Sequence, residues 1–120
     1  MTEFSRRNPL TGEIASSAPA MQPGDIPAIA KKAAQGQAEW GQMGPNARRA
    51  VLTKAAEALE ARRDDFVAAM QSEIGATAGW AMFNHGLSAS MIREAAALTT
   101  QISGEIIPSD KPGCLAMAVR

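Results

Sequence analysis

The chain has 120 residues, enough for one domain, and 46% of them are hydrophobic, with much alanine, which favours helices. Its 12 basic and 12 acidic side chains cancel, which argues against nucleic acid or a membrane surface as a partner, since both attract a basic excess. No apolar run is long enough to cross a bilayer, the polar N-terminus is not a secretory signal, and the single cysteine predicts a reducing, cytoplasmic location.

A small β-hairpin or an irregular β corner is predicted over about residues 4–17. The sequence Asn8-Pro9-Leu10-Thr11-Gly12 is typical of a turn, because proline fixes φ and glycine accepts positive φ. Extended arms would cover residues 4–7 and 13–17. Since an isolated two-stranded hairpin is marginally stable, we expect it to pack on helices.

Two amphipathic helices are predicted next. Asp25 is a suitable N-cap for the first helix, and residues 41–45, rich in glycine and proline, end it. Asn46 is a suitable N-cap for the second helix. One face of that second helix is apolar and the other carries charges of both signs, which is typical of a solvated helix surface.

A third helix is predicted to end at Gly75. Asp64 or Asp65 is a suitable cap for its start, so this acidic pair is interpreted as capping and not as catalytic. Alternatively, residues 63–65 form only a kink, with the second and third helices nearly continuous.

Apolar periodicity without an interrupting proline predicts a fourth and longest helix over about residues 76–103, stopped by Gly104. Steps of three and four residues place one apolar stripe on a face that we expect to be buried: Trp80, Phe83, Leu87, Met91, Ala95, Leu98 and Ile102. A second apolar stripe covers another flank: Ala78, Met82, Ala89, Ile92 and Ala96. A helix that is apolar on two sides is usually enclosed in a core or an interface.

Short β pieces are predicted at the C-terminus, at about residues 105–108 and 114–120, around a turn at residues 109–113. The fold class is therefore mainly α, with three to four helices and β pieces at both ends, in a single unit spanning residues 1–120. Because the last strand has no partner beyond it, we expect the chain to be part of a larger protein.

The residues predict no active site in this chain. There is no glycine-rich phosphate loop and no Cys/His cluster with metal-ligand spacing. The only histidine, His85, has no partner at catalytic spacing and is interpreted as structural. Cys114 has no helix N-terminus beside it to lower its thiol pKa, so it is not expected to act as a nucleophile. We therefore predict no catalytic, cofactor-binding or metal-binding residue.

Several motifs resemble one enzyme family. The segment NPLTGEI is similar to the turn near the start of NAD(P)-dependent aldehyde dehydrogenases. A helical motif of that family is matched by Trp40, Arg49, Leu52, Ala55 (or Ala56) and Leu59. The segments EIGATAGWAMFN and GEIIPSDKPG resemble the branch that acts on aromatic aldehydes, the vanillin and salicylaldehyde dehydrogenases. The four segments follow the family's order over nearly the whole chain.

This resemblance implies an α/β parent enzyme that oxidises an aromatic aldehyde to the acid with NAD or NADP. The chain would be the N-terminal part of the cofactor-binding domain, ending at the start of the oligomerisation arm. The family's catalytic and nucleotide-binding motifs are absent, so we expect the segment to be inactive and to bind no cofactor alone. By resemblance Phe83 and Leu87, with Trp80 nearby, line the aldehyde tunnel. The competing interpretation, favoured in this chain alone, is that they are core residues.

An alternative function is a helical interaction module without enzymatic activity. The two apolar sides of the fourth helix favour association, because large exposed apolar patches drive contact between proteins. We therefore expect a homo-oligomer formed through apolar helix faces.

Overall fold

The computed structural model describes residues 3–119, which form four α-helices with a short β-hairpin before them and another after them. The elements in chain order are β1 (Glu3–Arg7), β2 (Ile14–Pro19), α1 (Ile26–Gln42), α2 (Pro45–Ala61), α3 (Arg63–Ile74), α4 (Ala78–Ala97), β3 (Glu105–Ile107) and β4 (Ala116–Ala118). Short 3-10 turns precede α1 and follow α4. The expected mainly α fold is confirmed, but the last strand was expected to lack a partner and in fact pairs antiparallel with β3. Met1, Thr2 and Arg120, the last residue of the predicted strand 114–120, lie outside the described residues.

The N-terminal hairpin is confirmed. β1 and β2 pair antiparallel across a turn in which Asn8 Oδ1 accepts a hydrogen bond of 2.8 Å from the amide of Leu10. Gly12 completes this turn with φ of 77°, a conformation that glycine adopts without strain. Arg6 lies 3.7 Å from the carboxylate of Glu73, so the hairpin rests on α3 as expected.

Two of the predicted helix caps differ in detail. α2 begins at Pro45 with Gly44 at the N-cap position, so Asn46 lies inside the first turn and its predicted capping role is wrong. Proline fits the first helical position because its φ is already helical and it has no N–H to satisfy. Asp25 does occupy the N-cap position of α1, but its carboxylate accepts from the amide of Gln22 at 2.8 Å.

α2 and α3 are nearly continuous, which confirms the kink as the better of the two alternatives. Arg62 alone separates them, with φ of −106° and ψ of 25°. Asp64 and Asp65 lie within the first turn of α3, so neither is its N-cap. Gly75 ends α3 with φ of 68° and donates its N–H to the carbonyl of Gln71, as predicted.

α4 is shorter than predicted, since its α-helical part ends at Ala97 and a 3-10 turn continues to Gln101. Gly104 is therefore not the helix stop. Gly104 instead lies so close to β4 that a Cβ at this position would collide with the carbonyl oxygen of Ala118. Glycine is required there for the approach of two backbones and not for helix termination.

α1 extends away from the other helices. All of its residues except Trp40 are exposed. Its link to α2 is Arg48, which donates to the carbonyls of Trp40 (3.2 Å) and Gly41 (3.1 Å) and lies over the Trp40 ring. The result is an elongated molecule of 72 × 39 × 25 Å with a radius of gyration of 21.3 Å, against about 14 Å for a compact domain of this length.

The core lies between α2 and α4, which run antiparallel. Among residues 3–119 the buried apolar side chains are all alanines: Ala56, Ala81, Ala89 and Ala96. The stripe from Trp80 to Ile102 is exposed at every position, so its prediction as the buried face is wrong. The second stripe agrees better with the observed core, since the buried residues Ala89 and Ala96 belong to it. Alanine lets two helices approach closely, and the large side chains are left on the opposite side.

Candidate functional site

The exposed side of α4 presents a row of large apolar side chains, which we call the outer face: Trp80, Phe83, Leu87 and Met91. The Trp80 and Phe83 rings are stacked, with centroids 5.6 Å apart and an angle of 27° between their planes. Each of these two side chains is 57% exposed, and Leu87 is 45% exposed. The three residues implied by the resemblance as a tunnel wall therefore share one surface, and they are not core residues of this chain.

Local hydrogen bonds hold the start of the outer face in place. Thr77 caps α4, its hydroxyl oxygen accepting from the amide of Trp80 at 3.3 Å. One turn later the Asn84 side-chain amide donates to the carbonyl of Trp80 at 2.9 Å. Because both contacts involve the Trp80 backbone, they stabilise the first turn, from which the indole projects.

The opposite side of α4, which we call the inner face, packs on α2 and α3: Ala81, His85, Ala89 and Ala96. His85 is 7% exposed, and its Nε2 lies 2.8 Å from the carbonyl oxygen of Leu59 near the end of α2. Its ring also contacts Phe66 of α3, with centroids 5.9 Å apart. This arrangement confirms the structural interpretation of His85.

Two arginines join α2 to α4 around the inner face. Arg49 donates through Nε to the carbonyl of Ala96 at 3.2 Å, at the C-terminal end of α4, where a positive charge complements the helix dipole. Arg93 forms a two-point ion pair with Glu60. The hydrogen bond from Arg93 holds the pKa of the Glu60 carboxyl below its ordinary value of 4.5, and it raises the pKa of Arg93.

These contacts were not predicted from the sequence. The sequence places Arg49 in the helical motif and among the charges of a solvated helix face, whereas its side chain donates to carbonyls 47 and 48 positions away along the chain. The match of Arg49 to the family's helical motif was the one sequence feature that singled it out, and a motif does not identify the partners of its residues.

The described residues form no recognisable catalytic centre. Residues 3–119 contain no group of three His, Cys, Asp or Glu side chains placed to hold a metal ion. Cys114 is exposed in the segment between β3 and β4, whereas His85 is buried in the middle of α4. No helix within this described range is long and apolar enough to cross a membrane. The described residues do present one apolar, aromatic surface, the outer face of α4.

Comparisons with known proteins agree on one family. The model of the aldehyde dehydrogenase family matches residues 1–120. A vanillin dehydrogenase of Pseudomonas fluorescens is 50% identical over 117 residues, which is 98% of this chain and 24% of that protein. The crystal structure of a salicylaldehyde dehydrogenase from Pseudomonas putida G7, complexed with salicylaldehyde, superimposes with a TM-score of 0.91 at 38% identity, covering 97% of this chain and 24% of that one.

A third comparison involves another aromatic aldehyde. The crystal structure of an NAD-dependent benzaldehyde dehydrogenase from Corynebacterium glutamicum superimposes with a TM-score of 0.86 at 28% identity, covering 93% of this chain and 24% of that chain. The chain thus spans about a quarter of the length of the relatives it matches. Its likeness to them therefore concerns one segment of a longer fold.

Proposed function

Because the chain belongs to the aldehyde dehydrogenase family, we propose that it is the N-terminal segment of an enzyme that oxidises an aromatic aldehyde to the carboxylic acid with NAD or NADP. The observation that carries this proposal is the 50% identity to a vanillin dehydrogenase across 98% of the chain. Relatives whose names specify salicylaldehyde and benzaldehyde support the same substrate class. Within that enzyme the segment would belong to the cofactor-binding domain and end at the start of the oligomerisation arm.

The outer face of α4 is the part of this chain that we assign to substrate. Trp80 and Phe83 offer two stacked rings, and Leu87 extends the same surface by one turn. An aromatic pair in offset or edge-to-face geometry contributes about 0.5–1.5 kcal/mol beyond its buried area, which favours an aromatic aldehyde over an aliphatic one. In this proposal these three residues form one wall of the aldehyde passage, and the opposite wall comes from outside the described residues.

The chain itself supplies no chemistry in this proposal. Its described residues do not fit a dinucleotide, since they contain no glycine-rich turn opening a helix on which a pyrophosphate would bind. They also offer no activated thiol, because Cys114 is exposed and unpaired with any base in the described structure. We therefore propose that the segment alone is inactive. A cytoplasmic location and the absence of a nucleic-acid partner, consistent with zero net charge, remain predictions.

The experiment compares the full-length enzyme that contains this chain with the isolated 120-residue chain. Formation of NADH or NADPH is measured with vanillin, salicylaldehyde and acetaldehyde, in the presence of NAD or NADP. We expect oxidation of the two aromatic aldehydes by the full-length enzyme and none by the isolated chain. A full-length enzyme that ignores both aromatic aldehydes would refute the substrate assignment, and formation of NADH or NADPH by the isolated chain would refute its inactivity.

A matched pair of variants tests the wall residues in the full-length enzyme. Phe83→Ala removes a ring from the proposed wall, whereas Met91→Ala shortens a side chain on the same face two turns further along. We expect the first to raise KM for salicylaldehyde by about tenfold, as expected for one lost apolar contact, and the second to leave it within about twofold. Equal effects would contradict a wall confined to the first half of α4.

Self-association is a second proposal, favoured by the exposed area. The chain exposes 9392 Å², whereas a compact protein of this mass would expose about 6200 Å². The excess is larger than the roughly 1,600 Å² that a standard interface buries. We propose that the isolated chain forms a homo-oligomer through its apolar helix faces. Multi-angle light scattering at micromolar concentration tests this, and a stable monomer would contradict it.

A further inference from the structure

The apolar residues on the inner face of α4 do little to fix the rotation of this helix about its own axis. The apolar members of this face are three alanines with the same short side chain, each at most 4% exposed: Ala81, Ala89 and Ala96. Large side chains select one helix rotation because they interlock with a partner surface, whereas a row of methyl groups packs almost equally well after a small rotation. The rotation of α4 must therefore depend on directional polar contacts to α2, of which the Arg93–Glu60 ion pair is nearly half exposed and the contact of His85 is buried.

His85 makes the directional contact in the middle of this alanine row. Its Nε2 lies 2.8 Å from the Leu59 carbonyl oxygen, and because a carbonyl only accepts, Nε2 carries the proton in this hydrogen bond. Leu59 lies in the last turn of α2, where its carbonyl oxygen also accepts from the amide of Arg62 at 3.1 Å, so His85 adds a second donor to an oxygen with two lone pairs. A buried polar contact of this kind is satisfied at one rotation only, which is how such groups set register.

Helix geometry links this contact to the outer face. At about 100° per residue, Phe83 and Leu87 project about 160° and 200° around the helix axis from His85, and Trp80 projects at about 220°. The stacked pair therefore lies almost diametrically opposite the histidine. Any rotation of α4 that breaks the hydrogen bond from His85 to Leu59 turns the Trp80 and Phe83 rings by the same angle.

We propose that His85 is a positioning residue that, through its hydrogen bond to the Leu59 carbonyl, sets the rotation of α4 and so directs the stacked Trp80 and Phe83 rings toward an aromatic aldehyde. This proposal rests on the proposed function for the identity of the ligand. The hydrogen bond to Leu59, the alanine row and the opposite placement of the rings do not depend on that function.

The test uses two substitutions that differ in one property. His85→Gln keeps a donor, since the glutamine amide nitrogen is reached from the backbone through the same number of bonds as Nε2. His85→Met fills a similar volume without a donor. If His85→Met does not fold, His85→Asn replaces it, because the shorter asparagine amide does not reach Leu59. Arg49→Met is the control, since it loosens the far end of α4, about four turns from Trp80.

The first measurement reports the environment of the Trp80 ring directly and does not depend on enzymatic activity. The full-length enzyme is labelled with 5-fluorotryptophan, and the fluorine resonance of Trp80 is assigned by its loss in Trp80→Phe. We expect this resonance to shift or broaden in His85→Met and to keep its wild-type position in His85→Gln and Arg49→Met. An unchanged resonance in His85→Met would overturn the proposal, as would equal shifts in the Met and Gln variants.

The second measurement connects the position of the rings to substrate. In His85→Met we expect KM for salicylaldehyde to rise about fivefold, the equivalent of one hydrogen bond, with kcat and the KM for acetaldehyde within about twofold of wild type. His85→Gln should restore the wild-type KM. A uniform loss of kcat with both aldehydes would overturn the positioning role. If the wild-type enzyme does not oxidise aromatic aldehydes, the proposed function fails while the fluorine result still decides the rotation of α4.

Discussion

The two faces of α4 differ in a way that reverses the usual distribution of side-chain size. On the inner face Ala81 is fully buried and Ala89 is 2% exposed, while on the outer face Trp80 and Phe83 are each 57% exposed. Burying a large apolar side chain contributes about 1.5–3 kcal/mol, far more than burying a methyl group. A helix whose large residues face outward within its own chain is therefore suited to contact something else, whether a ligand or another protein surface.

The polar contacts of α4 follow the same division. The inner side is joined to α2 by His85, by Arg49 at the end of the helix and by the Arg93–Glu60 ion pair. On the outer face the hydrogen bonds are local: the Trp80 amide donates to the Thr77 hydroxyl oxygen, and the Asn84 side chain donates to the Trp80 carbonyl. The inner face thus defines where α4 lies, and the outer face is left free to bind. Four predictions test this division.

The largest effect is expected on the inner face. Ala81→Leu inserts a larger side chain into the fully buried contact between α4 and its neighbours, and overpacking of this kind costs about 1–3 kcal/mol of unfolding free energy. Urea unfolding followed by helical circular dichroism measures it. The same substitution at the exposed Ala95 should change stability by less than about 0.5 kcal/mol. Similar losses at both positions would mean that the two faces are not distinct.

A smaller loss is expected when the junction between α2 and the end of α4 is removed. Arg49→Met deletes the donors to the carbonyls of Ala96 and Ala97, together with the charge that complements the helix dipole. We expect a loss of about 1 kcal/mol and faster amide hydrogen exchange near the end of α4. Arg49→Lys should lower the unfolding free energy less than Arg49→Met does, because lysine keeps the positive charge. Unchanged exchange in the methionine variant would show that Arg49 does not hold this end.

On the outer face we expect little loss of stability. Phe83→Ala should lower the unfolding free energy of the 120-residue chain by about 1 kcal/mol or less, which is its share in stacking on Trp80. A core phenylalanine would lose about 3–5 kcal/mol in the same substitution. Urea unfolding separates the two values, and a loss in the larger range would restore the interpretation of this stripe as core.

The smallest effect concerns the Arg93–Glu60 ion pair, whose side chains are both nearly half exposed. Arg93 lowers the pKa of Glu60. The ion pair therefore contributes to folding stability above the ordinary pKa of 4.5, and this contribution is lost as the pH falls through the lowered pKa. The difference in melting temperature between wild type and Glu60→Gln should therefore be small near neutral pH and vanish in acid. A difference that grows on acidification would contradict the assignment.

Much of the local structure followed from the sequence, because it depends on neighbouring residues. The turn at Asn8 and Gly12 and the end of α3 at Gly75 need only a glycine at positive φ. The existence of the helices follows from periodicity, and the family follows from the order of its motifs. The predicted N-cap of α2, Asn46, lies two residues after the observed N-cap, Gly44, because proline and asparagine both suit a helix start and backbone geometry decides between them.

Only the tertiary structure decided which side of α4 faces inward. Periodicity identifies apolar stripes, and the stripe with the largest side chains, which includes Trp80 and Phe83, was predicted to be buried. Close packing of α2 against α4 instead requires small residues, so the alanines are the buried side chains. The partners of His85 and Arg49 are backbone carbonyls 26 and 47 positions away, and a carbonyl is present at every residue, so no sequence pattern identifies them. The sequence by itself determined the helices, the N-terminal hairpin and the family. The tertiary structure paired β4 with β3, and the packing of α2 on α4 determined which surface remains for binding.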